Sequence, residues 1–134
     1  MTGPFRSVIA TIAATLALTG AAQAQDRVNG MVEVRVPGML TEEQLAGKAL
    51  FEQTCANCHG TAGSGRMGYG PPLIHKIYES AHHGDKAFVI AIRQGVRAHH
   101  WKFGNMPPQP KISEEDARKI IAYVRAVQKN NGID

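Results

Sequence analysis

Residues 55–59 read Cys-Ala-Asn-Cys-His, and no other stretch constrains the chain so tightly. The pattern C-x-x-C-H is the attachment signature of a c-type haem. Each thiol can add to one vinyl group of the same macrocycle. A three-residue step along a helical turn keeps Cys55 and Cys58 on one side of the chain, so both reach one ring. His59 comes next and can turn its imidazole onto the iron. The expectation is one haem c, attached through Cys55 and Cys58, with His59 as a metal ligand. The rest of the chain must then form a pocket, supply a second axial ligand and control access.

Other uses of two cysteines fit less well. A thioredoxin-like C-x-x-C pair sits in a βαβ context, whereas this pair ends a helical pattern and precedes a glycine-rich loop. A zinc site needs further ligands at metal spacing, and none is evident. Gly63 and Gly65 have a spacing seen in phosphate loops, but such a loop needs a strand before it and a helix after it. The formal charge of +4 is mild. With no dense Lys/Arg run and no interleaved aromatics, nucleic acid is not an expected partner. A modestly basic surface suits an acidic protein partner, or plain solubility.

The chain divides into three parts. Arg6 precedes an apolar run over residues 8–22, and Ala22-Gln23-Ala24 supplies an A-x-A exit. Residues 1–24 therefore read as a secretory signal peptide cut after Ala24, which implies the periplasm. The run is short for a membrane span, which needs roughly 20 apolar residues, so an uncleaved anchor is the lesser reading. Residues 25–40 form an N-terminal arm, and 41–134 one small domain. Loss of Arg6 leaves a charge of +3. A domain of this size has a limited core, and a group bound only by the folded state stabilises it.

In the arm, Val32-Glu33-Val34-Arg35-Val36 alternates and suggests a short strand. A lone strand makes no sheet, so the arm reads as extended chain lying on the domain, either docking a partner or serving as a spacer. Thr41-Glu42-Glu43-Gln44 is a capping box, and the helix it opens runs to about Cys55. Gly47, Phe51 and Cys55 share one face of it. A glycine there costs about 1 kcal/mol relative to alanine, and close packing of another backbone explains it best. After His59 a glycine-rich loop ends at Gly70-Pro71-Pro72-Leu73. Leu73, Ile74 and Ile77 suggest a short helix. Asp85 reads as a helix cap, Phe88, Val89 and Ile92 as an apolar stripe, and Gly95 as a stop. Residues 96–112 read as a long ordered loop. Ser113 opens the last helix, with Ala117, Ile120, Ile121, Val124 and Val127 on one face.

Taken together, residues 41–130 resemble a class I cytochrome c of the bacterial periplasmic type. Gly47-x-x-x-Phe51-x-x-x-Cys55 resembles the family's first helix leading into C-x-x-C-H. Gly70-Pro71-x-Leu73 resembles its proximal loop, Met106-Pro107 its distal ligand motif, and Ile120-x-x-Tyr123 its C-terminal helix. The resemblance implies an all-α fold wrapped around one haem. It also implies His59 as proximal ligand, with its second ring nitrogen bonded to the Pro71 carbonyl. Met31 and Met39 precede the motif and Met67 follows it too closely, so Met106 is the expected sixth ligand.

His/Met ligation leaves no open iron site, so the expected function is single-electron transfer between a donor and an acceptor protein, not catalysis. The rivals are a tightly bound subunit of a periplasmic oxidoreductase and a haem catalyst or ligand-binding protein with an open iron. By the same resemblance, one or two of Arg97, His99, His100 and Trp101 are expected on the haem propionates, which would make the potential pH-dependent. His82-His83 and His99-His100 otherwise read as loop histidines. Neighbours in extended chain point to opposite sides, so neither pair is a natural chelate. A swap of Met106 for His99 or His100 as ligand is the weaker alternative.

Overall fold

Helix α1, Glu42–Thr54, begins at the expected cap in the computed structural model, which describes residues 27–134. The Thr41 hydroxyl accepts from the Gln44 amide at 3.3 Å, and the Gln44 side chain accepts from the Thr41 amide at 2.9 Å. Two otherwise unpaired donors are thereby satisfied. The expected signal peptide, residues 1–24, lies outside the described residues. After α1 the chain makes one further turn of helix, α2 (Ala56–His59). Helices α3 (Asp85–Gln94) and α4 (Glu114–Asn130) complete the helical framework.

The central packing event is the crossing of α1 with α4. A Cβ placed on Gly47 would lie 1.9 Å from the Lys119 carbonyl oxygen, so only glycine allows this approach. Beside the crossing, Phe51 is fully buried and its ring meets that of Tyr123 at 5.7 Å, tilted by 58°. Ala117, Ile120, Tyr123, Val124 and Val127 line the buried face of α4. Tilted aromatic pairs are favoured because the positive ring edge meets the negative face.

The arm differs from the expectation of a lone extended strand. Strands β1 (Arg27–Asn29) and β2 (Glu33–Arg35) pair antiparallel as a hairpin. Val34 and Val36 are buried in the main core. The Met31 and Val32 amides donate to the Gly65 and Ser64 carbonyls at 3.3 and 3.0 Å. The Arg35 backbone is clasped by Asn130 and Asn131 at the end of α4. The partner strand is only three residues long, too short to show alternation, which is why the sequence conceals it.

The short helix suggested around residues 73–77 is a single 3-10 turn, Lys76–Tyr78. Its carbonyls find side-chain donors instead of helical amides. Gln128 donates to the Leu73 carbonyl at 2.8 Å, and Arg125 donates to those of Tyr78 and His83 at 2.7 and 2.5 Å. Arg125 also reaches the Asp85 carboxylate at 2.8 Å. Asp85 is thus the first helical residue of α3, and Gly84 stands at the cap.

The α1–α4 contact makes a direct prediction. Gly47→Ala gains some helix propensity but forces two backbones apart. Overpacking of this kind costs about 1–3 kcal/mol. Urea unfolding should show the loss, and an unchanged midpoint would contradict the backbone contact.

Candidate functional site

The end of α1 delivers Cys55, and α2 delivers Cys58 and His59, to the wall of a cavity of about 550 Å³. That volume lies in the usual range for cofactor sites, about 300–1,000 Å³. Phe51, Leu73, Phe88, Ile92, Ile120 and Val124 give it an apolar lining. Pro71, Trp101 and Met106 open onto the same space. Every residue expected at the site except Cys58 therefore lines this cavity. Cys58, next to His59 on α2, is exposed.

His59 is held by its ring. Its Nδ1 lies 2.9 Å from the Pro71 carbonyl oxygen. A carbonyl can only accept, so Nδ1 carries the proton and Nε2 presents a lone pair. Burial holds the imidazole below its ordinary pKa, and the Pro71 carbonyl opposes the shift. The neutral, ligating form is thus favoured. Pro71 itself is fixed by a close approach, since a Cβ on Gly70 would lie 2.7 Å from the Cys58 carbonyl oxygen. Arg66 closes the same loop by donating to the Asn57 carbonyl at 2.7 Å.

Cys55 does not have the character of a reactive dithiol. Burial first, then Cys58 and Glu52, pushes its thiol up to about 11. Redox and nucleophilic cysteines have lowered values. The site therefore gives no support to thioredoxin-like chemistry.

Met106 is placed by backbone. Val96 and Met106 exchange two hydrogen bonds, each 2.9 Å, as an isolated antiparallel bridge. Gly95 precedes the bridge at φ 77°, ψ 179°, a region essentially restricted to glycine. Its missing side chain also leaves room for the Met106 carbonyl, which a Cβ would meet at 2.5 Å. Met39 and Met67 are exposed, and Met31 packs against the glycine loop.

The residues present fit a haem. Besides the donor set and the apolar lining, the Trp101 indole nitrogen is buried and has no hydrogen-bond partner. The Tyr78 phenol, raised by burial and lowered by this indole, is near it without meeting hydrogen-bond geometry. A buried donor without an acceptor is costly, and an anionic group at the cavity rim would supply one. Trp101 packs edge-on against His75 at 5.3 Å, which fixes the indole. Arg97, His99 and His100 line the same rim.

The four remaining histidines depart from the expectation of isolated loop residues. His82 and His83 sit in a turn, with both amides donating to the Glu79 carbonyl. Their rings lie side by side at 4.6 Å, and those of His99 and His100 at 4.3 Å. The rule that neighbours diverge holds for extended chain, which neither pair adopts. The sequence carries no local signal for this gathering, since the pairs flank opposite ends of α3 and meet only because the chain after it folds back. His100 is held below the usual imidazole range, by desolvation first and then by His99, His83 and His82.

The placement of Met106 gives a second prediction. Gly95→Ala strains the turn and pushes on the bridge, at a cost of about 1–3 kcal/mol. Amide hydrogen exchange at Val96 and Met106 should speed up while the α1–α4 core stays protected. Unchanged exchange at both amides would refute the role given to Gly95.

The cytochrome c family model matches residues 44–128. Among solved structures, cytochrome cL from the marine methylotrophic bacterium Methylophaga aminisulfidivorans is similar. The two are 31% identical, with a TM-score of 0.50 over 64% of this chain. The match spans 53% of that structure, so this chain corresponds to about half of its length. Covalently bound haem c and electron transfer characterise the family, and Cys55 and Cys58 have its C-x-x-C-H spacing. The helical order and the cavity built on Cys55, His59 and Pro71 agree with that match, and the chain belongs to the cytochrome c family, with the all-α class I fold.

Proposed function

We propose that the protein is an exported, periplasmic carrier of single electrons. In this reading Cys55 and Cys58 would hold one haem c by thioether bonds, and His59 Nε2 and the Met106 sulfur would bind its iron. One observation carries the ligand assignment. Among the described residues, Met106 is the methionine that shares the cavity with His59.

The haem supplies a one-electron couple, and the protein sets its conditions. The Pro71 carbonyl keeps His59 in one tautomer and one orientation, as second partners of ligating imidazoles do. The Val96 bridge holds Met106 on fixed backbone. Phe51, Ile120 and Val124 exclude water from the inner wall. Methionine opposite histidine favours a raised potential. Occupation of both axial positions disfavours substrate chemistry at the iron. Trp101, and with it Arg97 at the rim, would take the propionates.

The partners are redox proteins, a donor and an acceptor, met through small transient contacts under about 1,200 Å². The alternative is a tightly bound oxidoreductase subunit, for which the arm over residues 25–40 could dock a partner. Val34 and Val36 bury that arm in the protein's own core, which favours the free carrier. Among the described residues no helix is long and apolar enough to cross a membrane.

The test is spectroscopic. The ferric holoprotein should show the weak far-red sulfur-to-iron band, and the reduced form should not take up carbon monoxide. Met106→Ala should lose the band and gain carbon monoxide binding. A wild type that lacks the band, or binds carbon monoxide readily, would establish the open-iron reading instead. Acid-acetone extraction should leave haem on the wild type, and N-terminal sequencing of secreted material should begin at Gln25. Extractable haem or a retained Met1 would overturn the attachment and the cleavage respectively.

A further inference from the structure

We propose that His82, His83 and His100 form a binding site for one divalent late first-row transition-metal ion, copper(II) or zinc(II), at the rim of the cavity and separate from the axial pair. One ring nitrogen from each of these histidines lies within 4.8 Å of the others. Two segments far apart in sequence contribute them, the turn before α3 and the loop after it. Three neutral imidazoles are a donor set that suits zinc, copper and nickel, not magnesium or calcium. Three protein ligands also leave a fourth position for water.

The second support is the way His83 is held. Its Nδ1 is 2.6 Å from the Ile77 carbonyl oxygen, so Nδ1 donates and Nε2 is left as the ligand atom. A ligating histidine almost always ties its other nitrogen to a carbonyl or carboxylate in this way. The backbone beneath is fixed as well. Arg125 donates to the His83 carbonyl and, through the same guanidinium, to Asp85 and to Tyr78. The turn is thus anchored on α4, while His82 and His100 are exposed and free to adjust. Metal–nitrogen bonds of about 2.0–2.1 Å would bring tetrahedrally placed nitrogens to about 3.3 Å apart. Ring rotation at the two exposed histidines is the adjustment this requires.

His99 stands apart from the ligand set. Its ring packs against His100 at 4.3 Å, but the group whose ring nitrogens all lie within 4.8 Å of one another is His82, His83 and His100. His75 is turned inward, accepting from the Ile77 amide at 3.2 Å. Copper(II) should bind more tightly than zinc(II), as the general order of divalent affinities requires.

The experiment uses haem-loaded protein purified without a histidine tag. Zinc chloride is titrated against a competing chromophoric chelator, and copper(II) binding is followed by electron paramagnetic resonance. The expected result is one equivalent of either ion, with nitrogen hyperfine structure on the copper signal. His82→Ala and His100→Ala should each weaken binding at least as much as loss of an outer partner does, about 10–100-fold. His99→Ala should retain it. The haem absorption spectrum serves as the check that each exposed-site variant is folded. Uptake by the wild type no greater than by the His82→Ala/His100→Ala double variant would overturn the site. Loss of binding in His99→Ala as complete as in His100→Ala would overturn the ligand set. Because these readouts do not involve the axial ligands, the site stands or falls independently of the electron-carrier reading.

Discussion

Two backbones touch where α1 crosses α4, and the cavity depends on that contact. Gly47 lets the Lys119 carbonyl approach to a distance no side chain permits. The crossing fixes the direction of α1, and α1 ends at the first cysteine. A rotation or slide of this helix would carry Cys55, and α2 after it, away from the apolar wall built by Ile120 and Val124. The constraint is asymmetric. Position 47 must have no side chain, whereas Lys119 offers only its carbonyl and leaves its own side chain to pair with Glu115 at the surface.

The two candidate ligands are secured in different ways, the first through its ring and the second through its backbone. His59 leans on the carbonyl of Pro71, and Met106 is fixed by paired amides with Val96. In both cases the fixing atoms belong to the main chain. Hydrogen bonds that end on main-chain atoms of stiffened loops lose little entropy on forming, because those loops have little freedom to give up. Pro71 and Pro72 stiffen one loop, and Pro107 and Pro108 the other. In the proposed reading, rigidly held ligands would suit a site that changes charge with little change of shape.

Much of this arrangement was legible because it is local or periodic. The capping box at Thr41, the stripe on α4 and the pentapeptide are each contained in a few turns of chain. Gly47 could be read as a close contact because a glycine inside a helix has to be explained. The hairpin could not, since β1 is too short to carry a pattern and its worth lies in contacts with residues 64 and 65. The segment 73–78 misled for a different reason. Its apolar spacing suits a helix, but Gln128 and Arg125, more than forty residues onward, satisfy its carbonyls and hold it open. The gathering of four imidazoles is also tertiary. A ten-residue helix alone would hold its ends about 15 Å apart, so it is the chain after α3 folding back to the turn before it that brings His100 against His82 and His83.

The bond that orients His59 ends on a main-chain oxygen at a proline. Side-chain replacement at position 71 leaves an acceptor in place, because every residue has a carbonyl there. A systematic alanine survey would thus register Pro71 only through the stiffness of its ring and would miss the interaction itself. The His59–Pro71 hydrogen bond is accordingly buffered against point mutation, and its loss requires displacement of the whole Gly70–Pro72 loop. Chemical replacement of the amide that carries the oxygen, not genetic substitution, is the means of isolating its contribution.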